Sequence, residues 1–453
     1  MVLAGALVLL VIGTVLFHLL SPWWLTPIAS NWDTIDETMH VTFWVTGVVF
    51  VSVNLFLAYA IVRYRHRKGL KAHYEPENRK LEWGLTIATS VGIAAMLAPG
   101  LAVWARFVTV PEDASLVEVL GQQWSWSYRF PGADGRLGKS DTRLISVDNP
   151  FGMSPDDPVG EDDVLVSSPE LHLPVGKPVK FELRSKDVNH QFAVPQFRMK
   201  MDLVPGMVTY FWLTPTRTGE FDALCEQLCG TAHFAMRGRV VVQEEDEFKT
   251  WLAGQPTYGA ARAEIAGDPA AGRTSFAPCT NCHGAQAEGD RELNAPKLSG
   301  QAAWYLARQL NDFRNGVRGA HQDDVYGKQM IPFASMLADQ ANIRNVVAYI
   351  ATLPDERPES TVFGDPARGR RIYETTCSTC HGGSAQGVWS THAPRLANMS
   401  DWYMQRQLEN FRAGIRGSHR QDYYGAQMSS IARTLADERA AADVLDYIHT
   451  LGQ

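Results

Sequence analysis

All six cysteines of this 453-residue chain fall in three short segments. Two segments share one spacing, Cys279-Thr-Asn-Cys282-His283 and Cys377-Ser-Thr-Cys380-His381. C-x-x-C-H is the attachment pattern of c-type haem. Two thiols so spaced add to the two vinyl groups on one porphyrin edge, and the adjacent imidazole reaches the iron. A zinc site or a redox dithiol uses the same residue types, but two copies within matching repeats favour haem. A sixth iron ligand should come later in each repeat. Met330 and Met428 each lie 47 residues after the motif histidine, in "YGKQM" and "YGAQM", and a thioether ligand raises haem potential. His321 and His419 are also repeated, so bis-histidine ligation stays open. Met336 has Thr434 as its counterpart and reads as a core residue.

The third segment, "CEQLCGTAHFAM" at residues 225–236, holds Cys225, Cys229, His233 and Met236, with His190 upstream in "DVNHQFAVP". A Cys225–Cys229 disulfide is one reading for an exported domain. Thiolate, thioether and imidazole together are also a copper ligand set. One Cys, two His and a weak Met would hold a single copper. A second Cys four residues on lets two thiolates bridge two copper ions, each capped by one histidine.

These sites need elements to carry them. Formal net charge is −7, and no basic run with interleaved aromatics points to nucleic acid. No Lys or Arg precedes Arg63. Residues 41–62 and 84–105 are each 22 residues without a charge, long enough to span a bilayer. Seven cations within residues 63–83 place that loop in the cytoplasm and everything after Arg106 outside. Residues 3–20 are a leader or an extra span. Residues 107–253, with 14 Lys+Arg against 22 Asp+Glu, read as a small β-sandwich or barrel, with strands expected in "LVEVLGQQWSWSYRF", "RLISVD", "KPVKFELRS", "MVTYFWLTP" and "RGRVVVQ". A flexible linker follows at 254–267. The chain then repeats: "WYLARQLNDFRNGVRGAHQDDVYGKQM" is answered by "WYMQRQLENFRAGIRGSHRQDYYGAQM". The repeats define two domains of one fold, 268–354 and 365–453. Each closes with a helical pattern, Ile343, Val346, Val347, Ile350 and Leu353 in one and Val444, Tyr447, Ile448 and Leu451 in the other.

The two repeats resemble class I cytochromes c, in which a Met on the loop before the last helix binds the distal face. That resemblance implies all-α domains and favours Met330 and Met428. "DVNHQFAVPQFRMKMDLVPG" with "CEQLCGTAHFAM" resembles the binuclear copper A site of cytochrome c oxidase subunit II. "GQQWSWSYRF" is similar to that family's aromatic stretch, and "YEPENRKLEWGLT" to the loop entering its second membrane helix. Over residues 22–253 this implies a transmembrane helical hairpin within residues 1–106 and a cupredoxin-like sandwich. It also implies copper ligation by His190, Cys225, Cys229, His233, Met236 and the Gln227 carbonyl. Many members have Glu at that last position, where it also helps bind magnesium, so magnesium binding is in question here. Trp124 matches the residue through which electrons enter, or is an ordinary sheet aromatic. Glu82 matches the carboxylate at the mouth of the K proton pathway, or is a solvated acid favoured by the helix dipole.

The resemblance therefore implies a subunit of a haem–copper terminal oxidase in a bacterial cytoplasmic membrane, its copper and haem domains on the outer side. Its partners would be subunit I, the other oxidase subunits and a donor, either a cytochrome c or a quinol-oxidising complex. Catalysis at oxygen would lie in subunit I, with no general acid, base or nucleophile in this chain. Copper A-containing nitric oxide reductases, nitrous oxide reductases and a membrane-tethered electron carrier are the alternatives.

Overall fold

The computed structural model describes residues 2–21, 26–69, 71, 76–146, 149–262 and 267–452. Among the described residues three helices, α1 (Val2–Leu20), α2 (Asp33–Arg63) and α3 (Arg79–Val108), are long and apolar enough to cross a membrane. The expected spans lie inside them. Part of the basic loop, residues 70 and 72–75, lies outside the described residues.

The outer ends of α2 and α3 are locked to the domain that follows. Trp32, just before α2, is fully buried, donates its indole N–H to the Trp212 carbonyl at 2.9 Å and meets the Trp212 ring edge-on at 5.0 Å. Trp212 donates in turn to the Arg106 carbonyl at 3.2 Å, and Arg198 pairs with Asp36 at 2.6 Å. Membrane anchor and β-domain are joined by buried aromatic surface, not by a loose tether.

Ten strands follow: β1 (Ser115–Gln122), β2 (Ser125–Phe130), β3 (Val164–Val166), β4 (Glu170–Pro174), β5 (Val179–Ser185), β6 (His190–Val194), β7 (Met199–Leu203), β8 (Thr209–Leu213), β9 (Gly219–Cys225) and β10 (Arg237–Gln243). They form two five-stranded sheets, ordered β3-β2-β1-β5-β8 and β4-β10-β9-β6-β7, with β1/β5 and β10/β4 parallel. Strand alternation turns Val179, Phe181 and Leu183 inward. Phe192 of one sheet meets Trp126 of the other at 5.1 Å, and the two faces close one apolar core.

The expected long strand at 116–130 folds back on itself as β1 and β2. Both faces of this hairpin are covered. Its outer face carries a buried ion cluster, Glu118 with Arg129 at 2.5 Å and Arg184 at 2.7 Å, and Arg129 with Asp163 at 3.1 Å. "RLISVD", expected as a strand, is a 3-10 turn over Thr142–Leu144 followed by irregular chain, and its residues 147–148 lie outside the described set. Asp141 accepts from the Arg143 backbone N–H at 2.9 Å and from its guanidinium, and this local bonding competes with sheet pairing.

Helices α4 (Glu245–Ala253) and α5 (Tyr258–Arg262) come next. Residues 254–262, expected as flexible linker, are tied down: Leu165 donates to the Pro256 carbonyl at 2.9 Å, and buried Tyr258 donates its hydroxyl to the Met153 carbonyl at 3.2 Å. Residues 263–266 of that expected linker lie outside the described residues.

The repeats give two like domains. The first has α6 (Pro269–Phe276), α7 (Thr280–His283), α8 (Ala303–Arg314), α9 (Val325–Met336) and α10 (Gln340–Ile350); the second has α11 (Pro366–Ile372), α12 (Ser378–His381), α13 (Asp401–Ala413), α14 (Tyr423–Ala432) and α15 (Glu438–Thr450). The last helix crosses the first at a glycine in both. A Cβ on Gly272 would sit 1.9 Å from the Asn345 carbonyl oxygen, and one on Gly369 equally close to that of Asp443, so only glycine permits the crossing. Ile343, Val346, Val347 and Ile350 are buried, as are Val444 and Ile448. Met336 is a correction: expected in the core, it is 63% exposed at the end of α9, because its helix face is left uncovered.

Candidate metal and haem sites

Three neighbouring segments build the sulfur cluster. His190 opens β6, Cys225 closes β9, and the loop to β10 carries the rest. The Cys225 and Cys229 sulfurs lie 3.7 Å apart, far beyond a disulfide bond. His190 Nδ1 stands 3.9 Å from the Cys225 sulfur, His233 Nδ1 3.4 Å from that of Cys229, and Met236 Sδ 3.8 Å from that of Cys229. The Gln227 carbonyl oxygen lies 3.2 Å from the Cys225 sulfur. His190, Cys225 and Cys229 are buried and close enough to share one metal centre. All six residues expected at the copper are thus together.

Asp187 is a residue that the motif did not flag. Its carboxylate binds His190 Nε2 at 2.8 Å, which leaves Nδ1 facing the sulfurs. Burial opposes the imidazolium, yet Asp187 and the Cys225 sulfur together hold the His190 pKa above its ordinary value. Cys225 is pushed down to about 3, chiefly by the Cys229 thiol that hydrogen-bonds its sulfur, while Cys229 is pushed up by that same bond and by burial. One thiolate therefore forms easily, and a cation is needed to hold the second. Paired soft donors that demand positive charge fit copper.

The C-x-x-C-H cysteines behave differently. Burial pushes Cys377 up to about 12 and Cys380 up to about 11, so they stay neutral thiols suited to covalent attachment. Each motif histidine has its Nδ1 fixed on a carbonyl at 2.8 Å, His283 on Pro296 and His381 on Pro394. Both imidazoles are kept neutral by burial, with Nε2 free for iron. His283, Cys279, Cys282 and Met330 line one mainly apolar cavity, and His381, Cys377, Cys380 and Met428 line the other. His321 and His419 line neither cavity; each accepts from a backbone N–H two residues on, at 3.2 Å. Arg318 and Arg416 also line the cavities, and their Nε atoms are buried with no partner among the described residues. An apolar slot with a thiol pair, a neutral histidine, a thioether and an orphaned guanidinium N–H fits a haem and its carboxylates.

The two cavities share walls: Gln301, Tyr305, Gln309, Met399, Tyr403 and Gln407 border both. Arg318 donates to the Tyr403 hydroxyl at 2.6 Å, and its repeat mate Arg416 donates to that of Tyr305 at 3.0 Å. The second cavity also reaches the sulfur loop, since Ala232, next to His233, forms part of its wall.

Trp124 sits at this junction, 3% exposed beneath the second helical domain. Gln427, adjacent to Met428, donates to the Trp124 carbonyl at 2.6 Å, and the Trp124 indole donates to the Cys229 carbonyl at 3.2 Å. Gly230 leaves room for that ring; a Cβ there would meet Trp124 at 3.0 Å, and its φ of +120° favours glycine. Sequence reasoning missed Gln427. The only hint was its place beside the expected ligand. Glu82 lies in the first turn of α3, about 36 Å along the helix from Arg106, at the end away from the copper cluster. The structure brings no other site residue to it.

Comparison with known proteins follows the same division. The family profile for the cytochrome C oxidase subunit II periplasmic domain matches residues 115–244, and the cytochrome c profile matches 269–354 and 366–452. An alternative cytochrome c oxidase subunit 2 from Bradyrhizobium diazoefficiens is 60% identical over 258 residues, covering 57% of this chain and 93% of that protein. Cytochrome c oxidase subunit 2 of Cereibacter sphaeroides is 28% identical over 244 residues, covering 50% of this chain and 77% of that protein. Reduced recombinant cytochrome c4 from Pseudomonas stutzeri superposes with a TM-score of 0.33 at 26% identity, over 40% of this chain and 98% of that one.

Proposed function

The chain belongs to the cytochrome c oxidase subunit II family, and from that premise we propose that it is the electron-entry subunit of a haem–copper terminal oxidase. When bound, two c-type haems and a binuclear copper A supply the one-electron chemistry between a donor and subunit I, where oxygen would be reduced to water with proton pumping. The residues of this chain hold those groups and set their spacing.

One observation carries the reading. The loop that holds Cys229 and His233 forms part of the wall of the cavity lined by Met428, through Ala232. Gln427 and Trp124 join the two sites by consecutive hydrogen bonds, from the residue next to Met428 to the Cys229 carbonyl. Gln301, Tyr305, Tyr403 and their neighbours then join the second cavity to the first. The order is first cytochrome domain, second cytochrome domain, copper loop. Leu228, 77% exposed, and Phe234, 54% exposed, leave the other rim of the copper loop open, as contact with subunit I requires. Glu82 would stand at the cytoplasmic entrance of a proton path. With Gln at position 227, magnesium would depend on ligands from elsewhere.

The test uses purified holoprotein with its haems reduced by a flash. Trp124→Ala should slow reduction of copper without changing either cofactor's spectrum. Unchanged kinetics would remove Trp124 from the route.

A further inference from the structure

Helix α14 of the second cytochrome domain sits on the copper domain, whereas its repeat mate α9 places Tyr326 under the Arg406 guanidinium of the second domain at 4.4 Å. On α14, Tyr423 donates to Glu170 at 2.6 Å, Tyr424 donates to the Ser167 carbonyl at 3.2 Å, and Ile431 packs on the β-sandwich core. Arg420, just before it, pairs with Glu220. Positions 98 residues earlier hold Val325 for Tyr423, Phe333 for Ile431, Met336 for Thr434 and Gln322 for Arg420. Tyr424 and Gln427 keep counterparts in Tyr326 and Gln329, whereas the Tyr423 hydroxyl and the Arg420 guanidinium are lost, which explains why only one repeat docks there. In their place stand the apolar Val325 and the uncharged Gln322. Val325 is 60% exposed, Tyr326 42%, Phe333 40% and Met336 63%. Val325, Phe333 and Met336, at i, i+8 and i+11, run along one helix face.

This face borders the first haem cavity, which Phe333 and Leu293 line beside Cys282. In the second domain Ala232 of the copper loop forms part of the corresponding cavity's wall. We propose that the exposed face of α9 is the docking surface of the electron donor, a one-electron carrier protein presenting an uncharged, apolar surface. This rests on the electron-entry reading above. Residues 268–354 hold eight Lys+Arg and eight Asp+Glu, so neither a lysine-ringed nor an acid-ringed partner finds a complementary field. The repeat mate already shows that this helix surface brings a partner to the cavity mouth. Replacing the Tyr423 hydroxyl by Val325 and the Arg420 charge by neutral Gln322 suits a partner that must leave after each encounter, and such an encounter is little steered by charge.

The experiment uses full-length holoprotein in detergent, carrying Val325→Glu with Met336→Glu, and the milder Val325→Ser with Met336→Ser. Probes are a small cytochrome c whose haem edge is ringed by uncharged residues, a lysine-ringed cytochrome c, and ascorbate with a small-molecule mediator. For the uncharged carrier, binding and the bimolecular reduction rate should fall at least about tenfold in the Glu variant and less in the Ser variant. Reduction by mediator should stay unchanged. Raising salt from about 20 to 500 mM should alter the unsubstituted rate less than about twofold. An unchanged rate in the Glu variant overturns the proposal, as does preference for the lysine-ringed carrier with a steep salt dependence. A concentration-dependent dimer broken by the Glu variant would assign the face to a second copy instead. If mediator-reduced haems fail to reduce copper in the unsubstituted protein, the electron-entry reading itself falls, whatever the carriers do.

Discussion

The surroundings of Cys225 and of the haem-motif cysteines Cys377 and Cys380 set opposite protonation preferences. Cys377 and Cys380 lie among apolar groups that raise their pKa, whereas Cys225 lies against Cys229 and His190, which lower it. The residue types and their spacing were legible in the sequence, since ligand chemistry is local and each motif spans only a few positions. Asp187 was not, although it lies three residues before His190. A carboxylate that close is as often a turn residue as a partner, and only β6 geometry aims it at Nε2. Its role is to hold the imidazole with Nδ1 toward the sulfurs. Asp187→Asn should therefore weaken copper binding by about 10–100-fold while leaving haem content unchanged. Competitive copper titration against a chelator measures this; an unchanged affinity would make Asp187 a surface group only.

At the scale of elements, the two repeats show how one helix docks on the copper domain and its copy does not. The apolar pattern of α10 and α15 and the long apolar stretches of α1, α2 and α3 were readable from periodicity and length, whereas Met330 and Met428, expected on a loop before the last helix, lie within helices α9 and α14. The docking of α14 was not, since it depends on Glu170, Ser167 and Glu220, whose partners lie 200 or more residues away in sequence. The failed strand at "RLISVD" has a local cause instead: β-branched composition lost to the capping by Asp141. Glu170 makes the α14 contact sensitive to acid. Its carboxyl is held at about 2, below its ordinary 4.5, first by the bond to His172 and then, against burial, by the Tyr423 hydroxyl. His172 lowers this carboxyl whether or not α14 is docked, so only the share due to Tyr423 supports the contact, and it is withdrawn as pH falls from below 4.5 toward 2. Hydrogen exchange along α14 should accelerate over that window, and Glu170→Gln should flatten the dependence. A variant that keeps the full dependence would assign it to another group.

At the scale of the molecule, the chain reads as a line: membrane helices, a copper-binding sandwich on their outer end, then two cytochrome domains ordered outward from Trp124. The domain types and their sequence order were visible in repeats and motifs. Their order in space was not, since it runs opposite to the chain, with the domain nearest the copper loop coming last. Met330 and Met428 provide a way to label each end of that line. Changing either to His should lower one haem's potential by on the order of 100 mV or more and shift its spectrum, so the two haems become distinguishable. The decisive measurement is flash reduction of Met428→His holoprotein, following both haems and copper together. The labelled haem should be the one that equilibrates directly with copper, and the unlabelled haem should reach copper only through it. Direct and faster exchange between copper and the unlabelled haem would contradict the order drawn from Gln427, Trp124 and Ala232.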